Sequence, residues 1–126
     1  MALTFADVAG AKYILLTTFT KDGRPKPTAI WAAPDGDALI VITEESSWKV
    51  KRIRNTPRVT IAVCDARGNP KSEAVEAVAS INKARVNDAY DAIGRRYGLV
   101  GKVFNFFSKL RSGEKRNVAL EIRRVP

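Results

Sequence analysis

Along the chain, apolar residues fall into short blocks cut by Gly, Pro and Asp, and most blocks have strand-like length. Lys12 to Thr20 (KYILLTTFT) is rich in β-branched and aromatic residues and predicts a first strand. Asp22-Gly23 marks a hairpin, and Pro25 and Pro27 keep the next segment extended. Thr28 to Ala33 (TAIWAA) predicts the second strand, closed by Pro34-Asp35-Gly36-Asp37. Ala38 to Thr43 (ALIVIT) is nearly all apolar and predicts a third strand covered on both faces. Two tight turns would join these three as an antiparallel meander. Val59 to Asp65 and Glu73 to Ile81 predict strands four and five around a polar loop at 66–72, and Asn117 to Val125 alternates as a sixth.

Helical spacing fills the gaps. Thr4 can cap a short turn over Phe5 to Gly10. A basic helix is predicted from about Ser46 to Asn55, with Val50 and Ile53 on one side and Lys49 and Arg52 on a flank near Trp48. Asn82 can cap a helix over Lys83 to Tyr97, ended by Gly98 at the C′ position. A further helix over Leu99 to Leu110 carries Val103, Phe104, Phe106, Phe107 and Leu110, and Ser112-Gly113 breaks it. The expectation is a mainly β (α+β) fold: one domain over 1–126, a six-stranded antiparallel barrel with peripheral helices.

Composition narrows the chemistry. With no histidine and Cys64 as the single cysteine, Ser-His-Asp and Cys-His catalysis, the usual zinc sites and an internal disulfide are excluded, and no metal is expected. One cysteine and no visible signal peptide point to the cytoplasm, and no apolar run reaches the ~20 residues of a membrane span. Chemistry here would be borrowed from an organic cofactor. The net charge of +9 attracts polyanions, whether nucleic acid, anionic membrane or a multiply charged small molecule.

The N-terminus of the basic helix is the best candidate site. Free backbone N–H groups, the hydroxyls of Ser46 and Ser47 and the ammonium of Lys49 suit a phosphate. An ordinary Ser-capped surface helix fits the same residues, and the pattern alone does not choose. Trp31 reads as core or as a stacking surface, with core the commoner outcome, and Trp48 as lining a groove. Arg95, Arg96, Lys102, Lys109, Arg111, Lys115 and Arg116 could clamp an acidic tail, contact RNA or be solvated. Phe104, Phe106 and Phe107 have the helical phase of packing or of a dimer interface. No RNA-binding pattern is present, so nucleic acid is not the expected partner. Asp22, Asp35 and Asp37 read as turn residues, not as an acid/base pair.

The segments LLTTFTKDGRPKPTAIWAAPDGDALIVIT and SSWKVKRIRNTPRVTIAVCDARG, with YGLVGKVFNFFSKL and the closing strand, resemble the pyridoxamine-phosphate-oxidase-like flavin/deazaflavin oxidoreductases. Within them the chain is most similar to small PPOX-class enzymes thought to use coenzyme F420. The likeness rests on strand, DGD turn, strand, a T-x-x-x-S-x-K helix entry and NTPRV together, and covers nearly the whole chain. It implies a PNPOx-like, FMN-binding split β-barrel and a homodimer with cofactor sites at the interface. Thr43, Ser47, Trp48 and Lys49 would grip the cofactor phosphate, with Lys51 and Arg52 extending the grip. The backbone of Thr28, Ala29, Ile30 and Trp31 would border the ring, and Lys71 to Val75 would match the partner edge of the site.

Three departures mark the chain. In the oxidase branch a basic residue stands at the place of Ala32, an arginine near Pro27 and another at Trp48. The two strand positions are uncharged here, so FMN phosphate loses two partners, while a positive groove suits the several negative charges of F420. The expected activity is hydride transfer between reduced F420 and a small organic acceptor, with any proton coming from solvent or Tyr97. An FMN enzyme of the same fold and a non-catalytic module for cofactor storage or nucleic acid are the alternatives.

Overall fold

The computed structural model describes residues 4–111 and 117–126, with backbone only at 99–111. Thr4 opens helix α1 (Phe5–Ala9) by a reciprocal cap: its hydroxyl accepts from the Asp7 N–H, and its own N–H donates to the Asp7 carboxylate. Strands β1 (Ile14–Phe19) and β2 (Pro25–Ile30) form the expected hairpin, with Gly23 at φ 87° in its turn. β3 (Ala33–Asp35) and β4 (Ala38–Glu44) are joined by Gly36-Asp37. Gly36 has φ 59°, as a two-residue hairpin with glycine at its first central position requires.

Helix α2 (Trp48–Asn55), β5 (Arg58–Val63) and β6 (Val75–Asn82) follow. A 3-10 turn at Lys83–Arg85 leads into α3 (Val86–Arg111), and β7 (Asn117–Arg124) closes the order.

All pairings are antiparallel, in the order β2-β1-β5-β6-β7-β4-β3. The two edges of this sheet, β2 and β3, are separated in the chain only by Trp31 and Ala32. Ile30 and Ala33 therefore lie no more than about 11 Å apart, since an extended chain spans at most ~3.6 Å per residue. The sheet must curl until its edges meet, which makes a barrel with one unpaired seam. Inside it, Leu16, Ile61, Leu120, Ile122, Leu39 and Val41 pack with Val50 and Ile53 of α2.

Two expectations are corrected. The segment Thr28 to Ala33 is not one strand: it is divided at Trp31–Ala32, which gives seven strands where six were expected, within the same split-barrel fold. Nor do the first strands form a meander. After the hairpin, the chain steps across the seam, so β3 and β4 join the far edge of the sheet through β7. Pro25 and Pro27 agree with this placement, because a strand rich in proline is confined to a sheet edge.

β4 is covered on both faces as predicted: Leu39 and Val41 face the barrel core, while Ile40 packs with Ala89 and Ile93 of α3. The N-terminal end of α3 is tied to the sheet by Glu121. This carboxylate is 6% exposed and accepts from Asn82 Nδ2 (3.0 Å), Arg85 Nη1 (3.1 Å) and Arg123 Nη2 (2.7 Å). Arg85 also forks onto Asp35, so Asp35 anchors a helix besides turning a hairpin.

Gly98 ends a helix as expected: with φ 63° and ψ −141° its backbone is non-helical, so α3 is two helices meeting at a kink, the second running to Arg111. The side chains of Lys102, Phe104, Phe106, Phe107, Lys109 and Arg111, and the whole of Ser112 to Arg116, lie outside the described residues. No helix among the described residues is long and apolar enough to cross a membrane.

Candidate functional site

The seam holds the candidate site. β3 pairs with β4 only as far as Ile40, so Val41 to Glu44 have no neighbour on that side among the described strands. Across the gap stands the outer edge of β2, whose partner is β1. Prolines are tolerated in a strand where the missing N–H would have pointed off the sheet. The parity of Pro25 and Pro27 then turns the backbone groups of Ala29 toward the gap. Between the two edges lies a cavity of about 300 Å³. Its walls are Thr28, Ala29, Ile30 and Trp31 on one side, and Val41, Ile42 and Thr43 of β4 on the other; Lys49 and Ile93 complete it.

At one end the cavity meets the start of α2. Ser47 is the N-cap and accepts from the Val50 N–H, and its hydroxyl lies 3.4 Å from that of Thr43. The N–H groups of Trp48 and Lys49, in the first helical turn, have no intrahelical acceptor. Lys49 is half-buried and makes no hydrogen bond or ion pair among the described residues. Burial, and then the charge of Arg52, lower its ammonium below the ordinary 10.5, against a weaker upward pull from Glu44. A buried cation without a partner is costly, and an anion at this corner would relieve it. The donor set fits a phosphate.

At the other end Trp31 lies against Tyr97, with ring centroids 4.6 Å apart and planes 14° from parallel. Trp31 is therefore both a cavity wall and a packed residue. Burial raises the Tyr97 phenol, outweighing the hydrogen bond with Ala32 and the nearby charge of Arg96. A phenol held neutral and bonded to backbone is a poor proton source, which argues against the expected alternative role of Tyr97 as an acid.

The structure thus brings Thr28, Ala29, Ile30, Trp31, Thr43 and Lys49 onto one cavity, with Ser47 beside it. It does not bring Trp48, Lys51 and Arg52 there. Trp48 is 70% exposed, with the Lys51 ammonium 4.5 Å from its ring centroid, and Arg52 donates to the Thr18 hydroxyl. Lys71 to Val75, expected at the partner edge, do not line this chain's own cavity: Lys71 N–H goes to the Val63 carbonyl, and Ser72 Oγ accepts from Val63 N–H. Sequence reasoning missed Val41, Ile42 and Ile93 as walls. Their apolar periodicity was visible, but it marks core and cavity lining alike.

A second, shallower groove of about 590 Å³ runs beside α2 over Val78 to Ile81. Its cations, Arg54 and Lys83, both pair with Glu45. Among the described residues, no three His, Cys, Asp or Glu side chains converge as a metal site would require.

Comparison with known proteins agrees with this architecture. The family described as pyridoxamine 5'-phosphate oxidase matches residues 5–125. A conserved hypothetical protein from Mycobacterium tuberculosis superposes with a TM-score of 0.69 at 20% identity, covering 100% of this chain and 83% of that one. A solved F420 reductase gives 0.63 at 20% identity, covering 100% and 97%. HutZ, the heme storage protein of Vibrio cholerae, gives 0.65 at 14% identity, covering 93% and 84%. At these identities the likeness is one of fold. No curated protein matches the chain.

Proposed function

The chain belongs to the pyridoxamine 5'-phosphate oxidase family, and from that premise we propose that it is a cytoplasmic, homodimeric oxidoreductase dependent on coenzyme F420, acting on a small organic acceptor. The observation that carries this reading is the convergence of Trp31, Thr43 and Lys49 on one cavity at the barrel seam. At about 300 Å³ the cavity sits at the low end of the ~300–1,000 Å³ range of small-molecule sites, enough for a ring system and not for its whole side chain. A second copy closing the open side would complete it.

In this reading Lys49, Ser47 and the first N–H groups of α2 hold the phosphodiester. Thr28 to Trp31 and Val41 to Thr43 flank the ring with backbone donors and acceptors from two unpaired strand edges. Ile30, Val41 and Ile93 exclude water from it. When bound, the deazaflavin supplies the hydride. No described side chain in the cavity is an acid placed for proton transfer, so the acceptor's proton comes from solvent.

The same corner would accept the phosphate of FMN, and a solved relative of the fold from Nostoc punctiforme is described as FMN-binding. Two features favour the deazaflavin. Ala32 is fully buried in the core and Pro27 is uncharged, so neither position offers a second cation to a compact phosphate. The net charge of +9 suits a ligand with several negative charges. Parallel titrations of the protein with F420 and FMN test the proposal. It requires tighter binding of F420, weakened roughly tenfold or more by Lys49→Ala, the worth of a charge-assisted bond. Preference for FMN would assign the flavin instead. Salt-sensitive RNA binding without affinity for either would point to the non-catalytic alternative.

A further inference from the structure

The residue that fixes the geometry of the seam is not on it. Tyr97 sits on α3, far along the chain, yet its side chain meets the crossover between the two sheet edges in two ways. Its ring stacks on Trp31. Its hydroxyl accepts from the Ala32 N–H at 3.2 Å and lies 2.7 Å from the Lys12 carbonyl and 3.1 Å from that of Ala32. A phenol has one proton, and the shorter distance directs it to Lys12. Ala32 belongs to neither β2 nor β3, so it has no ladder partner, and its buried N–H needs an acceptor. Tyr97 supplies it.

The neighbouring residue braces the same contact. Arg96 Nη2 donates to the carbonyls of Gly10 (2.6 Å) and Ala11 (3.1 Å), just before Lys12. One turn of α3 is therefore bolted to the segment entering β1 and to the segment leaving β2. Those two segments set where Trp31 stands. We infer that Tyr97 is a positioning residue for the cofactor cavity: its stack and hydroxyl contacts hold the Trp31 ring as a fixed wall and fix the width of the seam. The inference rests on the cavity being the ligand site, but its structural half stands without any ligand. A wall held in advance costs a ligand no ordering entropy on binding, so loosening it should weaken binding more than it weakens the fold.

Two substitutions separate the contributions. Tyr97→Phe keeps a ring against Trp31 and removes the hydroxyl; Tyr97→Leu removes both. In a Trp48→Phe background Trp31 is the remaining tryptophan, so its emission and its quenching by acrylamide report the wall directly. Without ligand, quenching is expected to rise in Tyr97→Phe and further in Tyr97→Leu. With F420, and in parallel FMN, as the probe, affinity should drop roughly tenfold in Tyr97→Phe, the size of one hydrogen bond. The urea midpoint of Tyr97→Phe should fall modestly, because the buried Ala32 N–H loses its acceptor, and further in Tyr97→Leu. Unchanged quenching in both variants overturns the inference, and so does ligand affinity kept within twofold. If the parent binds neither ligand, the proposed function falls, and ligand-free quenching alone decides the role of Tyr97.

Discussion

Arg52 Nε donates to the hydroxyl of Thr18 at 2.6 Å, and Thr18 is completely buried at the end of β1. This contact changes the meaning of the basic helix. Its four cations are not one anion-binding strip, because each is committed differently. Arg52 ties α2 to the sheet, Lys51 lies over the Trp48 ring, and Arg54 reaches Glu45. Lys49 alone among them lines the cavity.

The four should therefore separate by phenotype. Lys49→Ala should weaken F420 binding roughly tenfold or more without lowering the urea midpoint. Arg52→Ala should cost about 1.5 kcal/mol of stability, the worth of a hydrogen bond from a charged donor, with a smaller effect on affinity. Lys51→Ala and Arg54→Ala, at exposed positions, should change both quantities little. Chemical denaturation and ligand titration on the same four proteins make the check. Equal loss of affinity across the set would restore the strip.

Lys49 also predicts a pH dependence. Its pKa in the folded chain lies below the ordinary 10.5, from burial first and the charge of Arg52 second. Between those two pKa values the unfolded chain binds more protons, so the Lys49 contribution to stability rises with pH as the window is crossed. Binding of an anion has the opposite sign, because it needs the ammonium charged, and affinity should fall across the same window. The Tm of wild type minus that of Lys49→Met, followed from pH 7 toward the ordinary lysine value, should become less unfavourable to wild type. A flat difference would show that Lys49 is solvated.

How much of this was legible in the chain follows from the range of each interaction. Strand alternation and the Asp-Gly turns are local, and they marked the strands closely, including the two-sided burial of ALIVIT. Pairing order is not local. Nothing in TAIWAA announces that Trp31 and Ala32 cross from one sheet edge to the other, so a meander was the natural reading. Within the site, Lys49 and Lys51 are the same residue type two positions apart. A helix turns them roughly 200° away from each other, yet motif matching grouped them together. Tyr97 was legible as a helical residue and a candidate proton source but not as a brace, because that role comes from segments at Lys12 and Ala32 that the fold brings to it.

Glu121 offers a test of the frame that carries the site. Burial raises its pKa, but the bonds from Asn82, Arg85 and Arg123 outweigh that and hold the carboxyl below the ordinary 4.5. Asp35, bonded to Arg85, is likewise held below 3.8. Both therefore stabilise the fold fully above their unfolded values, and the contribution is lost as pH falls through the folded ones. Glu121→Ala should cost about 3 kcal/mol, since it strands the donors around a buried site. It should also flatten the acid limb of the stability curve below pH 4.5. Urea titrations from pH 3 to 7 would read both effects, and an unchanged acid limb would assign it to other carboxylates.

Gly98 makes the last prediction, and its argument is purely one of backbone. At φ 63° and ψ −141° it lies in a region open essentially to glycine, where a side chain costs ~1–3 kcal/mol. A Cβ there would meet nothing within 4 Å, so crowding adds no cost. Asparagine, which tolerates the left-handed helical region, gains no relief because that region needs a positive ψ. Gly98→Ala and Gly98→Asn should therefore destabilise by similar amounts, about 1–3 kcal/mol each. The strained bond directly follows Tyr97, and straightening the helix to relieve it would swing the phenol off Ala32. Both variants should then raise acrylamide quenching of Trp31 alongside the loss of stability. Alanine tolerated at an unchanged urea midpoint would mean that the kink is not required.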